Sequence, residues 1–221
     1  MKKNGVMLVG LCGRSGAGKG YVSALFACRG IPSVDTDAVY REMTGPTDRL
    51  SPCMLALAER FGGGIVSADG SLDRAAMRAL VFGDDPEALA DLNRITHRFI
   101  LGETRRQADA LYEEGFPVVL IDAPLLYESG FDAECARVVC VTAPEEILVR
   151  RIMQRDGIPE EDALRRLAAQ IPISELEERA DYVIVNDGCP QDELIRRVER
   201  IAEELNAVRA EEYDAGGEED R

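Results

Sequence analysis

Four short runs of Val, Ile and Leu with no polar alternation constrain this chain most: residues 6–11, 118–121, 138–141 and 182–185, with 31–34 a shorter fifth. A strand wetted on one face alternates apolar and polar residues, and these runs have no face to show to water. Separated by stretches of helical periodicity, they specify an α/β fold, a five-stranded parallel sheet flanked by helices. The 221 residues suit one domain, and 46% apolar residues suffice for its core. No apolar run approaches the roughly 20 residues of a membrane helix, so no membrane role and a cytoplasmic location are expected.

Between residues 36 and 115 no comparable strand signal occurs, while helical periodicity recurs over 52–61, 73–82 and 87–114. Gly45-Pro46, Asp85-Pro86 and Gly62-Gly63-Gly64 punctuate that stretch. The expected organisation is therefore one domain with its core in 1–38, 116–149 and 180–206 and a helical insertion over about 39–115. A charged lid over about 150–179, with a helix at 160–169, and an acidic tail over about 207–221 complete it.

The formal net charge of −15 argues against nucleic acid as a partner. Residues 203–221 hold eight acids and two arginines, and their end, 214–221, lacks apolar side chains to pack. Six scattered cysteines without a C-x-x-C pair, beside a single histidine, offer no zinc spacing. They read as free thiols of a reducing compartment.

After the first run comes Gly13-Arg14-Ser15-Gly16-Ala17-Gly18-Lys19-Gly20, which fits G-x-x-x-x-G-K except that glycine stands where Ser or Thr is expected. Glycines let successive backbone N–H groups turn inward onto a phosphate, and the following helix, expected over 21–29, adds its positive N-terminus. Lys19 supplies a mobile charge. Gly13, Gly16, Ala17, Gly18, Lys19, Gly20 and Tyr21 form the expected phosphate-binding set. The hydroxyl missing at Gly20 would ligate Mg2+ directly, and a water can take its place.

Asp35-Thr36-Asp37 follows the fifth run, and the carboxyl ends of parallel strands line the ligand crevice. One carboxylate there can hold magnesium through water while the other accepts the proton of an attacking hydroxyl. The structural alternative is that Thr36 or Asp37 caps a helix over 38–43. Asp122, ending the second long run, is a candidate for orienting metal waters or a turn residue before Pro124. Arg151 and Arg155 share a helix face and suit phosphate contact, against the alternative of a solvated charged face.

Together these pieces resemble the dephospho-coenzyme A kinase family of P-loop kinases over about residues 8–192. Gly10-Leu11-Cys12-Gly13 through Lys19 is similar to the family's opening, and Val34-Asp35-Thr36-Asp37 to its acidic pair. Ala68-Asp69-Gly70-Ser71-Leu72-Asp73-Arg74, Val81-Phe82, His97 and Pro124-Leu125-Leu126-Tyr127-Glu128 follow in order. Gln154-Arg155-Asp156, Arg166-Leu167-Ala168-Ala169-Gln170 and Asn186-Asp187-Gly188 complete the series.

The resemblance implies transfer of the ATP γ-phosphoryl group to the ribose 3′-hydroxyl of dephospho-coenzyme A, the last step of coenzyme A synthesis. It implies Asp37 as the base, Lys19 and Arg151 as catalytic cations, and Arg155, Asn186 and Gly188 as further ATP contacts. His97, Leu125 and Leu126 would meet the acceptor in the helical insertion's pocket, with His97 equally readable as an ordinary helix histidine. Asp35 and Asp122 would attend Mg2+. Three residues depart from the family pattern: Arg14 for glycine, Gly20 for serine, and Arg98 where proline is frequent. The rival readings are another P-loop small-molecule kinase, such as a nucleoside monophosphate kinase, and a nucleotide-binding protein whose catalysis has decayed at Gly20. Oligomeric state has no signal in the sequence.

Overall fold

The computed structural model describes residues 5–214, so the first four residues and the tail end 215–221, expected not to pack, lie outside the description. Five strands form one sheet in the order β2-β3-β1-β4-β5: β1 Met7–Cys12, β2 Ser33–Asp35, β3 Val118–Asp122, β4 Arg137–Thr142 and β5 Tyr182–Val185. β1 pairs in parallel with β3 and β4, and β4 with β5. All six residues of β1 are buried, as its unbroken apolar sequence requires. The fifth strand starts later than its apolar run. The Ile31 N–H closes the turn after α1 (Lys19–Ala27) onto the Phe26 carbonyl at 3.1 Å, and Pro32 has no N–H to give a ladder.

The chain divides into two compact units, residues 35–106 and the remainder. In the larger unit, Phe26 of α1 and Leu148 and Ile152 of α6 (Glu145–Asp156) pack on the sheet. Leu194, Val198, Ile201 and Leu205 of α9 (Gln191–Arg209) join them at the three-and-four spacing of one helix face. Each large aliphatic buried this way is worth about 1.5–3 kcal/mol. Residue 150, the expected start of the lid, lies in the middle of α6, and Ala163 and Leu167 of α7 (Glu160–Ala168) are part of the main core. The arginine-bearing segment is thus a packed helix pair, followed by α8 (Ile173–Arg179).

The smaller unit is helical: α2 (Thr36–Thr44), α3 (Pro52–Phe61), α4 (Arg74–Val81) and most of α5 (Ala88–Glu113). Its own core gathers Met54, Leu57, Ile65, Leu72 and Met77. Ser51 caps α3 by accepting from the Met54 N–H at 3.1 Å, with Pro52 at the first helical position. The motif around 68–74 is scaffolding. Asp69 Oδ1 accepts from the Ser71 N–H at 3.0 Å and the Ser71 hydroxyl at 2.6 Å, and Asp73 caps α4 at Ala75 and Ala76. Among the described residues no helix is long and apolar enough to cross a membrane.

Candidate active site

The chain leaves β1 at Cys12, turns through Gly13–Gly18 and enters α1 at Lys19. Gly18 caps the helix at φ 91°, and a Cβ there would stand 2.4 Å from Asn186 Nδ2. That closeness reflects a strut. Asn186, buried just past β5, donates from Nδ2 to the Ala17 carbonyl at 2.8 Å and accepts from Arg151 at 3.3 Å. Arg151 also donates to the Gly16 carbonyl at 3.2 Å, and Lys19 Nζ to the Gly13 carbonyl at 3.3 Å. The side chain expected beside adenine also holds the loop and Arg151. Gly188 lies exposed in the following turn.

Arg155 donates to the Ser15 hydroxyl at 3.2 Å and pairs with Asp156, which also meets Arg166. Arg155 and then Arg166 hold the Asp156 carboxyl well below the usual carboxylate range. Lys19, Arg151 and Arg155 thus gather at one loop of a chain whose net charge is −15. That is the concentration of cations a polyphosphate needs. At the loop's base Cys12 and Cys140 are register partners. A hydrogen bond from the Cys140 thiol holds Cys12 below the ordinary thiol pKa, helped by the Lys19 charge. Tyr21 is exposed, its hydroxyl accepting from Gln191 Nε2 at 2.5 Å.

The two leucines expected on the acceptor side part company. Leu125 is 56% exposed, whereas Leu126 is 1% exposed and packs over Gly10 of β1. Leu126 packs in the core, and Leu125 is the one of the pair that faces solvent. Asp122 ends β3 opposite Leu11 of β1.

Asp35, Asp37 and His97 belong to the smaller unit. Asp35 caps α2, its Oδ1 accepting from the N–H groups of Asp37 at 2.8 Å and Ala38 at 3.1 Å, with Arg41 3.6 Å from Oδ2. The cap anticipated at Thr36 or Asp37 is therefore made one residue earlier, by the acid that ends β2. Asp37 is exposed, and its side chain makes no hydrogen bond or ion pair with the described residues. His97 is half-buried in α5, and burial lowers its pKa below the ordinary imidazole value.

No group of three or more His, Cys, Asp or Glu side chains able to hold a metal occurs among the described residues. Mg2+ in nucleotide sites takes one or two carboxylates, phosphate oxygens and waters, so a single strand-end acid such as Asp122 in the larger unit is chemically suited to that ion without such a cluster. Two residues at the loop carried no legible functional signal: Arg14, which reaches the Leu167 carbonyl of α7, and Gln170, whose Oε1 accepts from the Ser15 N–H at 3.1 Å. The only hint was that both fall in segments with the family's pattern.

A family model for dephospho-CoA kinase matches residues 7–192. A dephospho-CoA kinase of Anaeromyxobacter dehalogenans is 38% identical over 202 residues, covering 91% of this chain and 93% of the relative. One of Burkholderia lata is 41% identical over 194 residues, covering 87% and 93%. A solved structure from Thermus thermophilus superposes with a TM-score of 0.70 at 32% identity, over 94% of this chain and 98% of that one. The phosphate loop after β1, the strand-end acids and the arginines of α6 fall inside the matched span, and with it they place this P-loop kinase fold in the dephospho-CoA kinase family, to which the chain belongs.

Proposed function

We propose that the chain transfers the γ-phosphoryl group of ATP to the ribose 3′-hydroxyl of dephospho-coenzyme A, giving coenzyme A and ADP. The observation that carries this reading is the loop 13–18 with Lys19, Arg151 and Arg155 drawn around it, inside the span 7–192 that matches the family. The loop amides and Lys19 hold the phosphates, and Arg151 and Arg155 balance the charge that moves to the leaving oxygen. The Asp37 carboxylate takes the proton of the 3′-hydroxyl as that oxygen bonds to the γ-phosphorus. The bond from phosphorus to the β–γ bridging oxygen breaks, and its electron pair leaves with ADP. Asp35 and Asp122 would hold Mg2+, largely through water. When bound, the ion neutralises phosphate charge and fixes phosphate orientation. Residues 35–106 would carry the acceptor, with Leu125 and His97 on its side. A cytoplasmic location is part of this reading.

The test is a coupled assay of ADP release with and without dephospho-coenzyme A, repeated with nucleoside monophosphates. ADP release that requires dephospho-coenzyme A is expected. Turnover with a nucleoside monophosphate instead would assign another kinase activity, and binding of both ligands without product at any magnesium concentration would leave only a binding protein.

Gly20 gives a further expected result. It lies exposed in the first turn of α1 with nothing within 4 Å of where a Cβ would stand, so serine fits without displacement. Serine also removes part of glycine's helix penalty of about 1 kcal/mol. Gly20→Ser is expected to lower the magnesium concentration for half-maximal rate several-fold, within the roughly 10- to 100-fold scale of changes around a bound metal. The melting temperature should rise slightly. Superimposable magnesium curves would mean that an acid already fills the place of the hydroxyl.

A further inference from the structure

Arg14 is an unusual residue to find buried. Its side chain is 9% exposed, lining a small void with Ala17, Leu148, Ile173 and Leu176, although it carries a full charge. Its guanidinium has three surroundings. One terminal nitrogen donates to the Leu167 carbonyl in the last turn of α7, the other stands 3.7 Å from Glu145 in the first turn of α6, and Nε meets no acceptor among the described residues. The carbonyl end of a helix is its negative end, so the charge is well placed. The adjacent loop residue makes two more ties to the same helix pair. The Ser15 N–H donates to Gln170 Oε1 at 3.1 Å, just past α7, and the Ser15 hydroxyl accepts from Arg155 of α6 at 3.2 Å.

We propose that Arg14 and Gln170 are positioning residues that latch α7 onto the phosphate loop, so that Arg151 and Arg155 stand ready around the loop before a nucleotide arrives. The inference rests on the phosphoryl-transfer reading for its kinetic consequence and on geometry alone for the latch. Four ties from two consecutive loop residues run to one helix pair and the residue just past it, and α6 of that pair carries both arginines. Where α7 is held in advance, the free energy of ordering it does not subtract from nucleotide affinity. Where the latch is cut, ATP must draw the pair into place itself. The cost then falls on KM for ATP, and kcat at saturation is spared.

The test uses the full chain with Arg14→Met, which keeps the apolar stem and removes the donors, Arg14→Lys, which restores one donor, and Gln170→Leu. Amide hydrogen exchange of residues 160–170 without nucleotide is read beside KM and kcat. Arg14→Met and Gln170→Leu are each expected to speed exchange in α7 and to raise KM for ATP about five- to twentyfold, with kcat within about threefold of wild type. Arg14→Lys should recover part of the KM. The double variant should be little worse than the poorer single one, because both cut one latch. Unchanged exchange in α7, additive effects in the double variant, or a kcat collapse at constant KM would each overturn the proposal, the last by making Arg14 a contact of the transferring phosphate. If Arg14→Met fails to fold, Gln170→Leu alone carries the same comparison. The exchange readout needs no acceptor, so failure of the latch and failure of the proposed reaction are told apart.

Discussion

Asp37→Asn is expected to lower kcat by about 10²- to 10⁴-fold, the usual worth of a positioned general base, while ATP affinity and thermal stability stay near wild type. The separation of these effects follows from the first turn of α2. Asp35 makes the cap, holding the N–H groups of Asp37 and Ala38, so the Asp37 carboxylate has no structural bond to lose. Its only helix contribution is a favourable charge near the N-terminus, about 0.3–1 kcal/mol. Asp35→Ala should show the complementary pattern. Loss of a cap costs about 0.5–2 kcal/mol, so this variant melts earlier, and its rate loss should ease as magnesium is raised. Turnover of Asp37→Asn within about threefold of wild type would remove it from the chemistry, since general-base loss is never that small. A fall in stability equal to that of Asp35→Ala would mean that the two carboxylates share the capping role.

How much of this was readable in the residues varies by kind of signal. β1, β3 and β4 were legible because burial on both faces leaves a run such as Val138-Val139-Cys140-Val141 no alternative, whereas the edge strand β5, expected to be buried likewise, leaves Val183 and Val185 exposed. The phosphate loop was legible because its glycines and lysine are tied to one backbone shape. Helix ends were less so. A capping side chain in Asp35-Thr36-Asp37 can come from any of three positions, and the choice depends on where β2 releases the chain. Leu125 and Leu126 are chemically identical neighbours, and only the turn after β3 decides that one is exposed and the other packs over Gly10. The arginine-rich segment resembled a solvated excursion because charge dominates its composition. Ala163 and Leu167, four residues apart on α7, pack one face of it against the main core. Contacts such as Arg14 with Leu167 and Ser15 with Gln170 span 153 and 155 residues, and no local pattern encodes them.

The largest combined loss of activity and stability is expected at Gly13. This residue is the first of the loop, buried where β1 ends, with φ at 145°. An added Cβ would stand 2.2 Å from the carbonyl oxygen of Val141 and 3.2 Å from its carbonyl carbon. Neither atom can yield. Val141 lies inside β4, paired with Ile184 of β5, and moving its carbonyl means moving the centre of the sheet. Gly13→Ala therefore has two costs, a left-side backbone conformation that L-residues avoid and a clash with fixed backbone, each of order 1–3 kcal/mol. The chain's cheapest escape is to shift the loop off β4. That displaces the Gly13 carbonyl that receives Lys19 and the amides that follow it, so ATP affinity suffers along with stability. Gly13→Ala is expected to lower kcat/KM for ATP at least about 100-fold, since two bonds' worth of misplacement amounts to some 3 kcal/mol, and to lower the melting temperature by several degrees. Gly20→Ser, seven residues away in the same loop and helix start, should do neither. Measuring ATP binding by calorimetry and unfolding by circular dichroism for both variants sets a closed position against an open one. Wild-type binding and melting for Gly13→Ala would show that the loop does not press on β4, and would remove the steric basis for the phosphate site.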